Sequence, residues 1–300
     1  MFIGGSGNYI GAGASACSVG GGGGNNIGYS CYGSTISGGF NNSVAGSDQG
    51  SVIGGGEYNQ ILAGASGGYY ATAIVGGYDN SIGTNVFYSA IGGGYNNVIP
   101  ANSQYATIPG GGNNVAGSFA SFAAGYEAQA TNEYAFVWGD GSAVTASSIN
   151  NSVTFRASNG YRFFTGGGTA GAQLAPGATA WSTLSDRNVK KNFRPVDTAA
   201  VLSKLAAMPI QQWNYQWETD ADVPNIGPMA QDFKQAFYPG RDDKSITTLE
   251  FDGVELAAIQ GLNNKLEDKD SKIKKQSAEI ADLKVRLEVL ERIVLKQNAN

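Results

Sequence analysis

The sequence predicts a mainly β N-terminal part, a parallel β-roll or β-solenoid built from Gly-Asn repeats, followed by an α+β region that ends in a coiled coil. Three observations predict it. Residues 1–184 carry 41 of the 45 glycines but only two basic residues, Arg156 and Arg162, and six acidic ones. Residues 185–300 carry four glycines with the other 17 Lys/Arg and 18 Asp/Glu. A unit Gly-x-x-Asn-x-(Ile/Val/Ala) recurs through the first part, and an apolar residue recurs at every seventh position from Ile259 to Val294.

The first part cannot be an ordinary helical domain, because glycine at that density costs too much backbone entropy. Nor is it a plain flexible linker, since aromatic and β-branched residues recur within it. The repeats are Gly5/Asn8/Ile10, Gly22/Asn25/Ile27, Gly39/Asn42/Val44, Gly56/Asn59/Ile61, Gly77/Asn80/Ile82, Gly94/Asn97/Ile99 and Gly111/Asn114/Ala116, with a degenerate copy at Gly125/Ala128/Ala130. Their glycines step by 17, 17, 17, 21, 17, 17 and 14 residues. From about residue 70 an aromatic precedes each glycine by six or seven residues: Tyr70, Tyr88, Tyr105 and Phe119. Stretches such as "YATAIVGG" alternate over four to six residues and close on Gly and Asn, which reads as a short half-buried strand ending in a turn. Asn tolerates the left-handed turn conformation, and Asn side chains stacked in register can bond along the stack. One coil cannot bury its apolar face, whereas stacked coils share a core. About eight coils follow. So few large aliphatics, with glycine where backbones would meet, also point to a homo-oligomer.

Residues 146–184 read as a connector, with "SVTFRA" and "GYRFFT" forming one β-hairpin around Ser158-Asn159-Gly160 and a small-residue linker after it. Residues 185–255 mix signals: an Asp-capped amphipathic helix in "DTAAVLSKLAAM", a strand in "IQQWNYQW" with Trp213, Tyr215 and Trp217 on one face, and a helix in "GPMAQDFKQAF". Met229 and Phe233 read as core. Trp213 and Trp217 suit packing better than a sugar site. Residues 256–297 form the coiled coil. Its six a positions, Ile259, Leu266, Ile273, Ile280, Leu287 and Val294, are all apolar. Its d positions are Leu262, Lys269, Gln276, Leu283, Leu290 and Gln297, so three are polar; this mixture is compatible with three strands held in register.

The net charge of −5, without a basic stripe, argues against a nucleic-acid partner. No run of ~18 apolar residues is present to span a membrane. "MFIGGSGNYI" lacks the basic start and apolar core of a signal peptide and resembles the middle of a repeat. Cys17 and Cys31 read as two small buried residues rather than a bridge. No metal-ligand pattern and no cofactor are expected.

The chemistry, if any, lies in "LSDRNVKKN", where the first lysine of the chain appears. A serine nucleophile needs a base, and the chain has no histidine, so a Ser-His-Asp triad within it is impossible. Lysine remains, provided that its amine can shed its proton. Lys191 and Arg194 beside Lys190 would help, and Asp186 would oppose unless turned away. Residues five apart share no face of a helix or strand, so Ser185 and Lys190 can meet only across a turn. Spacing alone equally fits Ser185 as the cap of a helix starting near Asn188, with Lys190 and Lys191 solvated.

Two resemblances bear on these readings. "SFASFAAGYEAQATNEYAFVWGDGS" and the repeats of residues 1–145 resemble the heads of trimeric autotransporter adhesins (YadA-like heads), which are trimeric left-handed parallel β-rolls. The 17-residue steps depart from the shorter unit usual there. "LSDRNVKKNFRPVD", "VLSKLAAMPIQQWNY" and "IGPMAQDF", in that order over about 185–262, resemble the endosialidase-type intramolecular chaperone, the self-cleaving C-terminal domain of phage tail spikes and fibres. That resemblance implies Ser185 as nucleophile, Lys190 as base and Leu184–Ser185 as the scissile bond.

Together these imply a homotrimeric tail-fibre or surface-adhesin protein, on a virion tail or at a cell surface, facing a host-cell receptor or glycan. Its C-terminal domain would direct trimerisation and then release itself. The absence of a membrane anchor after the coil favours a fibre over an adhesin. The alternatives are a polysaccharide-degrading spike, for which paired carboxylates would be needed among six acidic residues, and an uncleaved fibre with an inactive chaperone.

Overall fold

The computed structural model describes residues 2–62, 71–167 and 170–297, in two compact units, Met1–Ser182 and Thr183–Asn300. The first unit is a parallel β-solenoid. Each coil contributes two strands, and each strand pairs with its counterpart one coil on. One row runs Tyr9–Ile10, Asn26–Ile27, Ser43–Val44 and Gln60–Ile61, then Ser81–Ile82, Val98–Ile99 and Val115–Ala116. The other runs Ser18–Val19, Thr35–Ile36, Val52–Ile53, Ala73–Ile74, Ala90–Ile91 and Thr107–Ile108.

The strands are shorter than the alternation suggests: two residues each as far as Ile108. Left-handed corners cut them off. Gly22 is one such corner (φ +80°), and a Cβ on it would lie 1.9 Å from the Gly39 carbonyl oxygen of the next coil. Non-glycine residues take the same conformation at other corners, among them Ala16, Ser30, Tyr58 and Tyr105. Near the C-terminal end the strands lengthen to Phe122–Ala130 and Phe136–Ala146. The four extra residues of the 21-residue step fall between Ile61 and Ala73, because register is kept on both sides. Tyr70 lies outside the described residues.

The second residue of each strand points inward. Ile27, Ile36, Val44, Ile53, Ile74 and their successors are fully buried, forming two aliphatic stacks. Between them runs an asparagine ladder. Each ladder Asn accepts at Oδ1 from the backbone N–H and Nδ2 of the Asn one coil on: Asn25 from Asn42 (3.0 and 3.1 Å), Asn42 from Asn59, Asn59 from Asn80, Asn80 from Asn97 and Asn97 from Asn114. Its Nδ2 also donates to two glycine carbonyls, as Asn59 does to Gly55 and Gly77. Every polar atom of these buried amides is used. The ladder asparagines are not the turn residues; that conformation belongs to the preceding position, as at Asn41, Asn96 and Asn113. At the degenerate repeat the Ala128 N–H ends the ladder on Asn114 Oδ1.

Aromatic rings form a row along the coils, Tyr88 tilted against Tyr105 (5.5 Å between centroids), and Tyr105 with Phe119 and Phe119 with Tyr134 edge to face. Cys17 and Cys31 are buried free thiols, and burial pushes the Cys31 thiol up.

The hairpin expected around Ser158-Asn159-Gly160 is not formed. Val153–Arg156 pairs in parallel with Phe136–Gly139, as one more step of the solenoid. Tyr161–Phe164 pairs instead with Gly171–Leu174, antiparallel. The 17-residue offset from Phe136 to Val153 offers the first segment an open strand edge in register, and that edge wins over the local turn.

The second unit holds helix α1 (Thr198–Ala207), capped by Asp197, which accepts from the Ala200 N–H at 2.9 Å. A short antiparallel pair follows, Gln211–Trp213 with Asn225–Gly227. Then come helix α2 (Ala230–Phe237) and helix α3 (Thr248–Gln297), 50 residues long. The strand read in "IQQWNYQW" stops at Trp213, and Tyr215 turns the chain through Glu218. The three aromatics still line up, Trp213 edge-on to Tyr215 and Tyr215 stacked on Trp217 at 4.4 Å. Phe233 is fully buried at the centre of the unit's small core, with Met208 and Val254. α1 crosses α3 closely at Gly261, where a Cβ would meet the Thr198 carbonyl oxygen at 2.3 Å. Beyond Gly261 every described residue of α3 is exposed.

Candidate functional site

The site sits where the second unit begins. Asp186, next to Leu184 and Ser185, runs extended (φ −66°, ψ 132°) into a single 3-10 turn, Arg187–Val189, and the chain leaves it extended again at Lys190 (φ −103°, ψ 152°). The turn folds Lys190 back, and its Nζ donates to Ser185 Oγ at 2.6 Å. The two side chains that spacing alone left apart are therefore in direct contact, across a turn.

The helix-capping alternative for Ser185 is not what forms. Asp186 caps the turn: its Oδ1 accepts from the Asn188 N–H at 2.9 Å and from Asn188 Nδ2 at 3.1 Å. Asp186 also makes no ion pair with Lys190 among the described residues. Leu184, whose carbonyl precedes Ser185, is half exposed.

Reasoning from sequence missed one charged cluster in the same unit. Lys234 on α2 donates to Glu250 at 2.5 Å, both nearly buried, and Arg241 donates to the other oxygen of Glu250 at 2.7 Å. Glu250 also closes a reciprocal cap at the start of α3: it accepts from the Thr247 N–H at 3.1 Å, while its own N–H donates to Thr247 Oγ1 at 3.2 Å. The Lys234 bond, the Thr247 N–H and Arg241 together hold the Glu250 carboxyl down to about 2. The signal was present as Thr247-Thr248-Leu249-Glu250, a capping box. The cluster ties α2 to the root of α3 and so braces the unit that carries the site.

Among the described residues no group of three or more His, Cys, Asp or Glu is placed to hold a metal ion, and no helix is long and apolar enough to cross a membrane. No curated protein matches the chain. Residues 185–240 match the Peptidase_S74 family, described as chaperone of endosialidase. The match begins at Ser185 and covers α1, the short strand pair and α2. That family implies a self-cleaving, peptidase-type chaperone domain, and its combination with a β-solenoid fits a tail fibre or spike with a virion or extracellular location.

Proposed function

We propose that the chain is a homotrimeric tail-fibre or surface-adhesin protein whose C-terminal domain gathers three copies, directs folding of the solenoid, and then cuts itself off between Leu184 and Ser185. The observation that carries the chemical half is the 2.6 Å contact between Lys190 Nζ and Ser185 Oγ beside the Leu184 carbonyl. As an ammonium, Lys190 donates along that line; as a free amine it accepts the Oγ proton along the same line. The freed Oγ attacks the Leu184 carbonyl carbon. The Leu184–Ser185 C–N bond breaks, and Lys190 returns the proton to the departing Ser185 nitrogen. Leu184 is then held on Oγ as an ester, which water hydrolyses to a Leu184 carboxylate and a free Ser185 amino terminus. Nucleophile and carbonyl are chain neighbours, so the effective concentration is very high. The reaction turns over once.

The trimeric half is supported by α3. The a-position side chains Ile259, Leu266, Ile273, Ile280, Leu287 and Val294 are 52–62 % exposed on the isolated helix, an apolar seam that a three-stranded coil would cover. The likeness of residues 1–145 to trimeric autotransporter heads agrees with that number. The exposed aromatic row that includes Tyr88, Tyr105 and Tyr134 would be the surface offered to a host receptor or glycan.

Mass and hydrodynamic size of the purified protein test this reading together. The expected result is a trimer separating into 1–184 and 185–300, with Ser185→Ala and Lys190→Ala remaining whole. Cutting at full rate in both variants removes the site assignment, and a well-behaved single polypeptide removes the trimer.

A further inference from the structure

We propose that Asp186 is a positioning residue for self-cleavage: its carboxylate locks the turn that carries Lys190 onto Ser185. The inference rests on the Ser185–Lys190 reading above.

The turn has little else to hold it. Arg187–Val189 is a single 3-10 turn with no buried residue, and a turn of that length has no cooperativity of its own. Its backbone bonds are long, Val189 N–H to the Asp186 carbonyl at 3.3 Å and Lys190 N–H to the Arg187 carbonyl at 3.2 Å. The shorter contact is the side-chain one, Asn188 N–H to Asp186 Oδ1 at 2.9 Å, seconded by Asn188 Nδ2 on the same oxygen. Asp186 has the extended backbone (φ −66°, ψ 132°) of a capping residue. With that cap in place the chain runs extended, turn, extended. That path is what returns a side chain five residues on to the serine. Without it, the lysine has only the Oγ contact to keep it there, and a long lysine side chain gives up much rotamer freedom to hold one geometry.

The same bonds have an electrostatic consequence. A carboxylate resting on a lysine favours the ammonium form, which cannot accept a proton. Asn188 engages Asp186 Oδ1, and no ion pair between Asp186 and Lys190 is formed among the described residues. The cap therefore places the base while its carboxylate is engaged by Asn188.

The test follows the appearance of the 185–300 piece with time in the full chain, for substitutions at position 186 beside Ser185→Ala. Loss of an N-cap acceptor lowers the folded turn by roughly fivefold, within a range of about 2- to 30-fold. Asp186→Ala is expected to slow cutting by that factor. Asp186→Asn and Asp186→Ser keep an acceptor at the cap and should run within about twofold of the parent chain. Asp186→Glu keeps the charge but misplaces the oxygen, and should be slow like alanine; with the Asn variant it decides the matter even if the alanine variant fails to assemble. Equal rates in the Glu and Asn variants, or an alanine variant as fast as the parent, overturn the inference while an uncut Ser185→Ala leaves the site assignment standing. Parent-rate cutting in Ser185→Ala overturns both.

Discussion

The asparagine ladder allows a stability prediction worked from individual bonds. Asn59 lies in mid-ladder with no solvent exposure. Its Oδ1 receives the Asn80 N–H (3.1 Å) and Asn80 Nδ2 (3.0 Å), and its Nδ2 donates to Asn42 Oδ1, the Gly55 carbonyl and the Gly77 carbonyl. Asn59→Ala removes all five bonds, but the losses are unequal. Asn80 Nδ2 keeps its bonds to Gly76 and Gly94, Asn42 Oδ1 keeps the backbone N–H of residue 59, and the Gly77 carbonyl keeps the Glu57 N–H. Two groups lose their ladder partner, the Asn80 N–H and the Gly55 carbonyl. An unsatisfied buried group costs about 1–3 kcal/mol; the Asn80 N–H is fully buried, whereas Gly55 is half-buried and its carbonyl is within reach of water, so the variant should lose about 1–3 kcal/mol per chain. Asn8→Ala, at the partly exposed end of the ladder, should lose less, because water reaches the groups it frees. The assay is the unfolding rate of the solenoid in guanidinium, since a stacked parallel structure is expected to resist unfolding kinetically. Equal unfolding rates for Asn59→Ala and the parent would refute the claim that the ladder holds the coils together.

Three further outcomes are expected. Asp48 is 1 % exposed and its Oδ2 has no partner among the described residues; burial raises its carboxyl above the ordinary 3.8, against the bonds from Ser51 and Ser34. Its folded form therefore binds the proton more tightly than its unfolded form, stability falls as pH rises from about 3.8 through the raised value, and Asp48→Asn should unfold more slowly at neutral pH; a faster-unfolding variant contradicts this. Glu250 has the opposite sign: its folded carboxyl is held at about 2 against an ordinary 4.5, so its contribution is complete above pH 4.5 and lost as pH falls towards 2. Acid titration of helicity in the second unit should show that loss, and Glu250→Gln should abolish it. Ile273→Ala on α3 should remove about 2 kcal/mol of coil burial per chain, shifting sedimentation towards smaller species at low micromolar concentration; an unchanged trimer would place Ile273 outside the seam.

What the sequence made legible was whatever repeats. The glycine steps matched the coil-to-coil register, and the regular asparagines proved to be a bonded ladder. Strand length was not legible, since the corners that end the strands are taken by Ala16, Ser30, Tyr58 and Tyr105, residue types that local preference does not place at positive φ. The connector was misread because Ser158-Asn159-Gly160 carries a strong hairpin signal, whereas the competing parallel edge at Phe136–Gly139 is set by a 17-residue offset that a local scan does not weigh. At the site, Ser185 and Asp186 are adjacent and both of capping type, so the sequence could not choose which would cap and which would face Lys190. The Lys234–Glu250 pair joins residues 16 apart through tertiary packing, and only its capping-box half left a local trace.

The ladder also bears on why such a solenoid would need a detachable partner. Its bonds fix each coil on the one before it, within a chain. They are buried inside the coil stack, so they contribute nothing to aligning one chain with another. Coils repeating every 17 residues would let neighbouring chains slip by a whole coil while keeping similar contacts, a degeneracy that parallel assemblies must break by other means. In the proposed trimer α3 breaks it. A coil whose a positions are all apolar but whose d positions include Lys269, Gln276 and Gln297 is far from uniform along its length, and shifting one strand by a heptad would set polar side chains against Leu262, Leu283 or Leu290. The coil would supply the between-chain register that the solenoid lacks, and cleavage after Leu184 would then remove a part whose information has already been used.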